Sequence, residues 1–323
     1  MKLGVFTPLF QQLSFEAMLD KVATCGLEAV EIGTGGYPGD AHCKPDLLLN
    51  NKQSQLQFLK AITDRGLTLS ALSCHGNPLH PDPTIAERDH HLLLQTLQLA
   101  NELGVDRICL FSGCPGEGPG AQYPNWVTCA WPPEFSQVLK WQWEERAIPY
   151  WQQAAAEARK YGITKLAFEM HPGFLVYNPA TLLKLRNAVG PEIGANFDPS
   201  HLWWQGIDPV EAIRVLGSEK AIYHFHAKDV AIDKHTCDIK GVLDTTPYND
   251  LSNRSWTFRT VGYGHGADEW KSIVTMLQIQ GYHYVMSIEH EDPLASIDEG
   301  LGKAVQFLQQ ILFKQSPSEM WWA

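Results

Sequence analysis

This chain of 323 residues lacks several things that would point elsewhere. Nowhere do 18 apolar residues run together, so no membrane-spanning helix is expected. The cysteines are seven and scattered: Cys25, Cys43, Cys74, Cys109, Cys114, Cys129 and Cys237, with no C-x-x-C pair. The N-terminus, MKLGVFTPLF, has no basic region followed by a long apolar stretch and a small-residue cleavage site. The odd cysteine count and that N-terminus together predict reduced thiols in a cytoplasmic protein. Cys74 and Cys109 sit in apolar runs and read as core filler. There is no Lys/Arg stripe or basic tail, and 36 acidic against 25 basic residues give a formal charge of −11. Nucleic acid is therefore not expected as a partner, because binding it relies on neutralising phosphates. The glycine-rich VGYGHG at 261–266 is not a G-x-G-x-x-G fingerprint, so no nicotinamide or flavin site is expected. No Ser-His-Asp or Cys-His grouping is set by spacing, and no repeat or low-complexity tract stands out.

What is present is a rhythm. Hydrophobic residues make up 44% of the chain, enough for a substantial core. Apolar runs at 2–7, 29–32, 67–73, 107–111, 166–169, 193–197, 221–226 and 284–288 read as strands. Between them, helical spacing appears at 14–25, 53–65, 85–103, 140–160, 180–188, 209–216, 270–280 and 297–313. In the first of these, Phe15, Met18, Leu19 and Val22 share one stripe and Gly26 follows as a stop. Eight β/α units in one uninterrupted series predict a single (β/α)8 barrel domain over residues 1–323. Two long loops interrupt it, after the fourth and seventh strands. The first, 112–133, is rich in Gly and Pro, carries Trp126 and Trp131, and is long enough to imply a job, such as a lid. The second, 228–266, holds Arg254, Trp256, Arg259 and His265. The tail QSPSEMWWA ends in two aromatics, read as covering the barrel exterior or a subunit contact.

Four strand-like runs in the second half, KLAFEMH, GANFDPSH, IYHFHAK and VMSIEHE, each end in a metal-ligating residue type. These are Glu169, Asp198, His226 and Glu289. In a parallel barrel the C-terminal strand ends meet at one mouth. An acid at the end of a buried strand needs a cation, a donor or a proton. Three acids and one imidazole at the same phase of their units predict a single divalent ion, Mn2+ foremost, with Mg2+, Co2+ or Zn2+ as alternatives. Such an ion grips adjacent oxygens of a sugar and polarises a carbonyl. The neighbouring C–H then becomes acidic enough for a carboxylate to remove its proton, and Glu169 and Glu289 would exchange roles as base and acid.

Other residues gather around the same mouth. His201, three residues after Asp198 in DPSH, reads as a substrate ligand, a second-metal ligand or a helix cap. His224 and His226 share one strand face; the former reads as a core or supporting imidazole. His75 follows the third strand, His171 follows Glu169, and Lys228 follows the seventh strand; all three are candidate substrate contacts. For Lys228 an ion pair with Asp229 is the alternative. Glu31 either accepts from a sugar hydroxyl or makes a salt bridge across the barrel. Trp203 and Trp204 read as sugar-stacking or as packing, with packing favoured for at least half of the tryptophans.

The segments FE at 168–169, FDPSH at 197–201, HAKD at 226–229 and SIEHED at 287–292 resemble the xylose-isomerase-like family of sugar isomerases and epimerases. That family includes ketose 3-epimerases and inosose-processing enzymes, and the resemblance runs from about Lys2 to Phe313. It implies the ligand set Glu169, Asp198, His226 and Glu289, a catalytic pair in Glu169 and Glu289, and a substrate contact in His201. It also implies a small sugar or cyclitol substrate and a homodimer or homotetramer. Where ketose epimerases place a substrate-binding Arg this chain has Ile232, and Arg259 or His265 is the candidate replacement. Endonuclease-type repair enzymes share the barrel. His75 matches one of their extra ligands, but LFSGCPG offers no histidine after the fourth strand and no D-x-H pair follows HAKD. The expected function is a metal-dependent isomerase or epimerase acting through an enediolate. The alternatives are a keto-sugar or inosose dehydratase or lyase, a metal-dependent hydrolase, and a non-enzymatic sugar-binding barrel.

Overall fold

In the computed structural model, which describes residues 1–315 and 318–322, every apolar run picked out above forms a strand. The ten strands are β1 (Lys2–Phe6), β2 (Ala29–Gly33), β3 (Thr68–Ser73), β4 (Arg107–Leu110), β5 (Lys165–Glu169), β6 (Ile193–Phe197), β7 (Ile222–Ala227), β8 (Asp229–Ile232), β9 (Trp256–Arg259) and β10 (Val285–Ile288). Eight of them close a parallel barrel in the order β1-β2-β3-β4-β5-β6-β7-β10 and back to β1. The chain is a (β/α)8 barrel with helices between successive strands, all strand C-termini opening at one mouth.

Local chemistry supports each helix. Ser14 Oγ accepts from the amide of Ala17 at the start of Phe15–Thr24. Asn178 and Thr181 form a reciprocal cap on Pro179–Val189. Gly104, at φ 73°, closes Pro83–Leu103 in a left-handed conformation that only glycine adopts without strain. Met18, Leu19 and Val22 are fully buried, as their spacing predicts, each contributing about 1.5–3 kcal/mol of burial.

The structure differs from the sequence reading in three segments. The fourth helix starts earlier than residue 140: Pro133–Trp141 is helical, Gln142–Ala147 is a π segment and Ile148–Lys160 resumes the α-helix. Pro133 opens the helix where its missing N–H is harmless. Pro149 cannot donate to the preceding turn, and the π segment widens the backbone just before it. None of the residues of the loop at 112–133 lines the central cavity. The loop is tied down: Gln142 Nε2 donates to the carbonyls of Pro115, Gly116 and Asn125. The excursion at 228–266 has structure of its own. β8 and β9 pair antiparallel, and Trp204, Val230, Trp256 and Phe258 form a second small core beneath them. Trp204 stacks on Trp256 and Trp203 stacks on His265, so these tryptophans pack.

No helix among the described residues is long and apolar enough to cross a membrane. All seven cysteines are free thiols. In the tail, residues 316, 317 and 323 lie outside the described residues. Trp321 and Trp322 are exposed and do not cover the barrel.

Candidate metal centre

Four side chains converge at the mouth. Glu169 is the last residue of β5, Asp198 and Glu289 each come one residue past β6 and β10, and His226 is the penultimate residue of β7. Each offers a ligand atom, and these atoms lie within 4.8 Å of one another. Their orientations are fixed locally. Asp198 caps the short helix Pro199–Trp203, with Oδ1 accepting the Ser200 amide at 2.7 Å, while Oδ2 faces the site. Glu289 continues the ladder through its amide to the Ala227 carbonyl. Lys228 Nζ holds Glu289 Oε1 at 3.2 Å and Glu291 Oε2 at 2.6 Å, and lies 4.2 Å above the Phe258 ring.

The fit to a cation shows in what is left unpaired. His226 Nδ1 approaches Glu289 Oε2 at 2.8 Å and Glu169 Oε2 at 3.5 Å. Even so, His226 Nδ1, Glu289 Oε2 and Asp198 Oδ2 are buried without a hydrogen-bond partner. Unpaired buried polar atoms are costly, and here they share one small space. The charge balance points the same way. Burial pushes the Asp198 carboxyl up to about 6, with Glu169 and Glu289 adding to the rise against His201 and Lys228. Burial also opposes charge on Glu169 and Glu289. The imidazoles of His201, His226 and His75 nonetheless hold Glu169 well below the usual range, and Lys228 and His226 bring Glu289 down to about 2. Three oxygen donors and one imidazole nitrogen suit a divalent cation of the manganese, magnesium, cobalt or zinc type.

Above the cluster lies a cavity of about 540 Å3. Its floor includes His75, Glu169, His171, Lys228 and Glu289; one wall is aromatic, from Phe6, Tyr37, Phe111 and Phe174. His75 Nε2 lies 3.2 Å from Glu169 Oε2. His201 Nε2 lies 3.2 Å from Glu169 Oε1 and 3.4 Å from Asp198 Oδ2. Burial, reinforced by His201, pushes the His171 imidazole down to about 3, so it stands neutral beside the cavity, Nδ1 on the Pro172 carbonyl. His224 is fully buried below the mouth, Nδ1 on Asn196 Oδ1.

Four candidate substrate contacts lie outside the cavity lining: His201, buried against Glu169 and Asp198, and three that are placed elsewhere. Glu31 is fully buried beneath the cluster and bonds His226 Nε2, Ser73 and Ser287, so the cross-barrel ion pair forms rather than a contact with a sugar. Arg259 does not line the cavity; its guanidinium pairs with Asp292. His265 is also outside it, stacked on Trp203 with Nδ1 2.8 Å from Asp229 Oδ1. Asp229 therefore does not pair with Lys228. It also accepts the amides of Gly262, Gly264 and His265 and the Trp270 indole N–H, which ties the VGYGHG loop to β8. Replacing Asp229 with Ala is expected to cost at least about 3 kcal/mol by stranding these buried donors. Denaturant unfolding and faster hydrogen exchange at Gly262 and Gly264 would register it; a loss under about 1 kcal/mol contradicts this role.

Sequence reasoning missed the aromatic wall and Glu291. Glu291 had a usable signal, standing two residues after Glu289 in SIEHED and so on the same side of the chain. The wall comes from separate βα units, and no local pattern marks it.

Comparison with known proteins agrees with this architecture. Residues 19–311 match the family described as xylose isomerase-like TIM barrel. The chain is 40% identical over 314 residues to the uncharacterized protein YfiH of Bacillus subtilis (strain 168), covering 97% of this chain and 99% of that one. It is 26% identical over 296 residues to the rhizopine catabolism protein MocC of Rhizobium meliloti, covering 90% and 78%. Among solved structures, the probable 3-DHS dehydratase AsbF of Bacillus anthracis superposes with a TM-score of 0.66 at 17% identity, over 96% of this chain and 99% of that one. A D-tagatose 3-epimerase-like protein gives 0.66 at 19% identity, over 96% and 97%. At these identities the two structures speak to the fold alone.

Proposed function

Since the chain belongs to the xylose isomerase-like TIM-barrel family, we propose that it is a divalent-metal-dependent isomerase or epimerase of a small sugar or cyclitol. The observation that carries this reading is the convergence of Glu169, Asp198, His226 and Glu289 on one space, with the facing atoms of the last three unpaired. These four residues would hold the ion, Mn2+ by preference. When bound, it supplies Lewis acidity, gripping neighbouring substrate oxygens and acidifying the C–H beside a carbonyl.

The remaining work falls to the chain. Glu169 and Glu289 approach His226 Nδ1 from two different strands, and both line the cavity. One removes a proton from carbon and the other returns one. Lys228 fixes Glu289 through Oε1, leaving Oε2 toward the site. His75, which lines the cavity 3.2 Å from Glu169, would donate to a substrate hydroxyl, and His201, buried 3.2 Å from Glu169 on its other oxygen, would do so only for a group that reaches the ion. Phe6, Phe111 and Phe174 exclude water and offer a surface to the apolar C–H face of a ring.

The test is product NMR in D2O with Mn2+-loaded enzyme and a panel of keto-sugars and inososes. An unchanged carbon skeleton carrying one solvent deuterium is the expected result. Loss of water or of an aglycone moves the reading to elimination, which begins with the same abstraction. No exchange on any substrate removes the proposal.

A further inference from the structure

Glu31 is a carboxylate with no access to the cavity, yet it touches the centre. It lies mid-strand in β2 with its side chain inside the barrel, and its exposure is 0%. Oε1 and Oε2 stand 3.0 and 2.9 Å from His226 Nε2. Two further donors lock it: Ser73 Oγ gives to Oε1 at 2.6 Å and Ser287 Oγ to Oε2 at 2.9 Å. Ser73 is on β3 and Ser287 on β10, so the carboxylate is pinned from both sides. Across the same ring, Nδ1 faces Glu289 and Glu169. The Phe6 ring stacks on the imidazole at 5.2 Å and fixes its plane.

This arrangement leaves the imidazole little choice. Asn196 Nδ2 also stands 3.1 Å from Nε2, but a lone pair on Nε2 would face both Glu31 oxygens at closer range and be repelled, so the ring proton belongs on Nε2. The Nδ1 lone pair is then turned toward the other three ligands. We propose that Glu31 is a positioning residue that sets the tautomer and direction of His226, and through them the affinity of the centre for its ion. The proposal rests on the metal reading above. A hydrogen-bonded carboxylate behind a ligating histidine raises the ligand's basicity, and removing such a partner typically costs about 10–100-fold in metal affinity.

The experiment measures Mn2+ binding to chelator-stripped protein by the electron paramagnetic resonance of free Mn2+, without any turnover assay. Glu31→Gln keeps the shape and removes the charge; it is expected to weaken Mn2+ binding about 10-fold or more while metal-free melting moves little. A residue that merely props the core would do the reverse, lowering the metal-free melting temperature and leaving affinity alone. Affinity within about twofold of wild type therefore overturns this inference and leaves the metal site standing. Absence of Mn2+ binding in wild type overturns both. Should Glu31→Gln fail to fold, 15N NMR of Cd2+-loaded wild type decides: a proton on His226 Nε2 with Cd2+ coupled to Nδ1 is expected, and the opposite tautomer sinks the proposal.

Discussion

Glu289→Gln protein, loaded with Mn2+, is expected to lose at least about 10³-fold in kcat/KM on the substrate found by the D2O screen. The substitution keeps the size of the side chain and one carbonyl oxygen. It removes the capacity to take or return a proton, and it places an amide where Lys228 requires an acceptor. Because Glu289 is also a proposed ligand, bound Mn2+ must be measured beside the rate. A loss of rate at full metal content assigns the effect to proton transfer; a loss that tracks metal content assigns it to the ion. Glu169→Gln is expected to act alike from the other strand. The two variants need not be equivalent in exchange. If each glutamate serves one face of the substrate, a single variant still washes hydrogen into solvent from the face whose base remains, while forming no product. Turnover within about tenfold of wild type in either fully loaded variant would remove that glutamate from the mechanism.

The acids were legible because each closes a short apolar run, and a buried strand that stops at a carboxylate needs a counter-ion. Glu169, Asp198 and Glu289 share that signature, and His226, on the same strand face as His224, is set by standing nearer the C-terminal end of its strand. Glu31 ends no run. It sits inside VEIG, where sequence gives the face but not the depth, so the sugar contact and the cross-barrel ion pair looked alike. Depth along the barrel axis follows from register, and register is a property of neighbouring strands. The pairing of Ser287 with His226 is one such fact that no single strand carries. The same limit hid the β8–β9 hairpin: DVAI and WTFR are short, and the 233–255 segment between them removes the local turn that would announce a hairpin. It also misplaced His265 and Arg259. Both have strong partners in Asp229 and Asp292 that chain order does not reveal. The barrel itself was readable from end to end, because alternating apolar runs and helical stripes are local.

Stripping the ion from wild type with a chelator is expected to stop turnover and to lower the melting temperature, and His226→Ala is expected to erase that metal dependence. An ion that binds the folded chain and not the unfolded one stabilises by mass action, about 2.7 kcal/mol when free Mn2+ stands 100-fold above its dissociation constant. For a chain of this size that is a shift of a few degrees or more. The sign follows from the cluster's own charges. Without a cation, Glu169, Asp198 and Glu289 crowd their oxygens into one buried space, with Lys228 held to one of them. Adding two positive charges relieves that repulsion in the folded state only. His226→Ala removes one of four donors while leaving the carboxylates, so binding weakens and the melting curves with Mn2+ and with chelator should nearly coincide. If instead the His226→Ala curves stay as far apart as those of wild type, the ion sits elsewhere. In that case the unpaired atoms of the cluster would need another occupant, and Glu31 would be holding an imidazole with no ligand role.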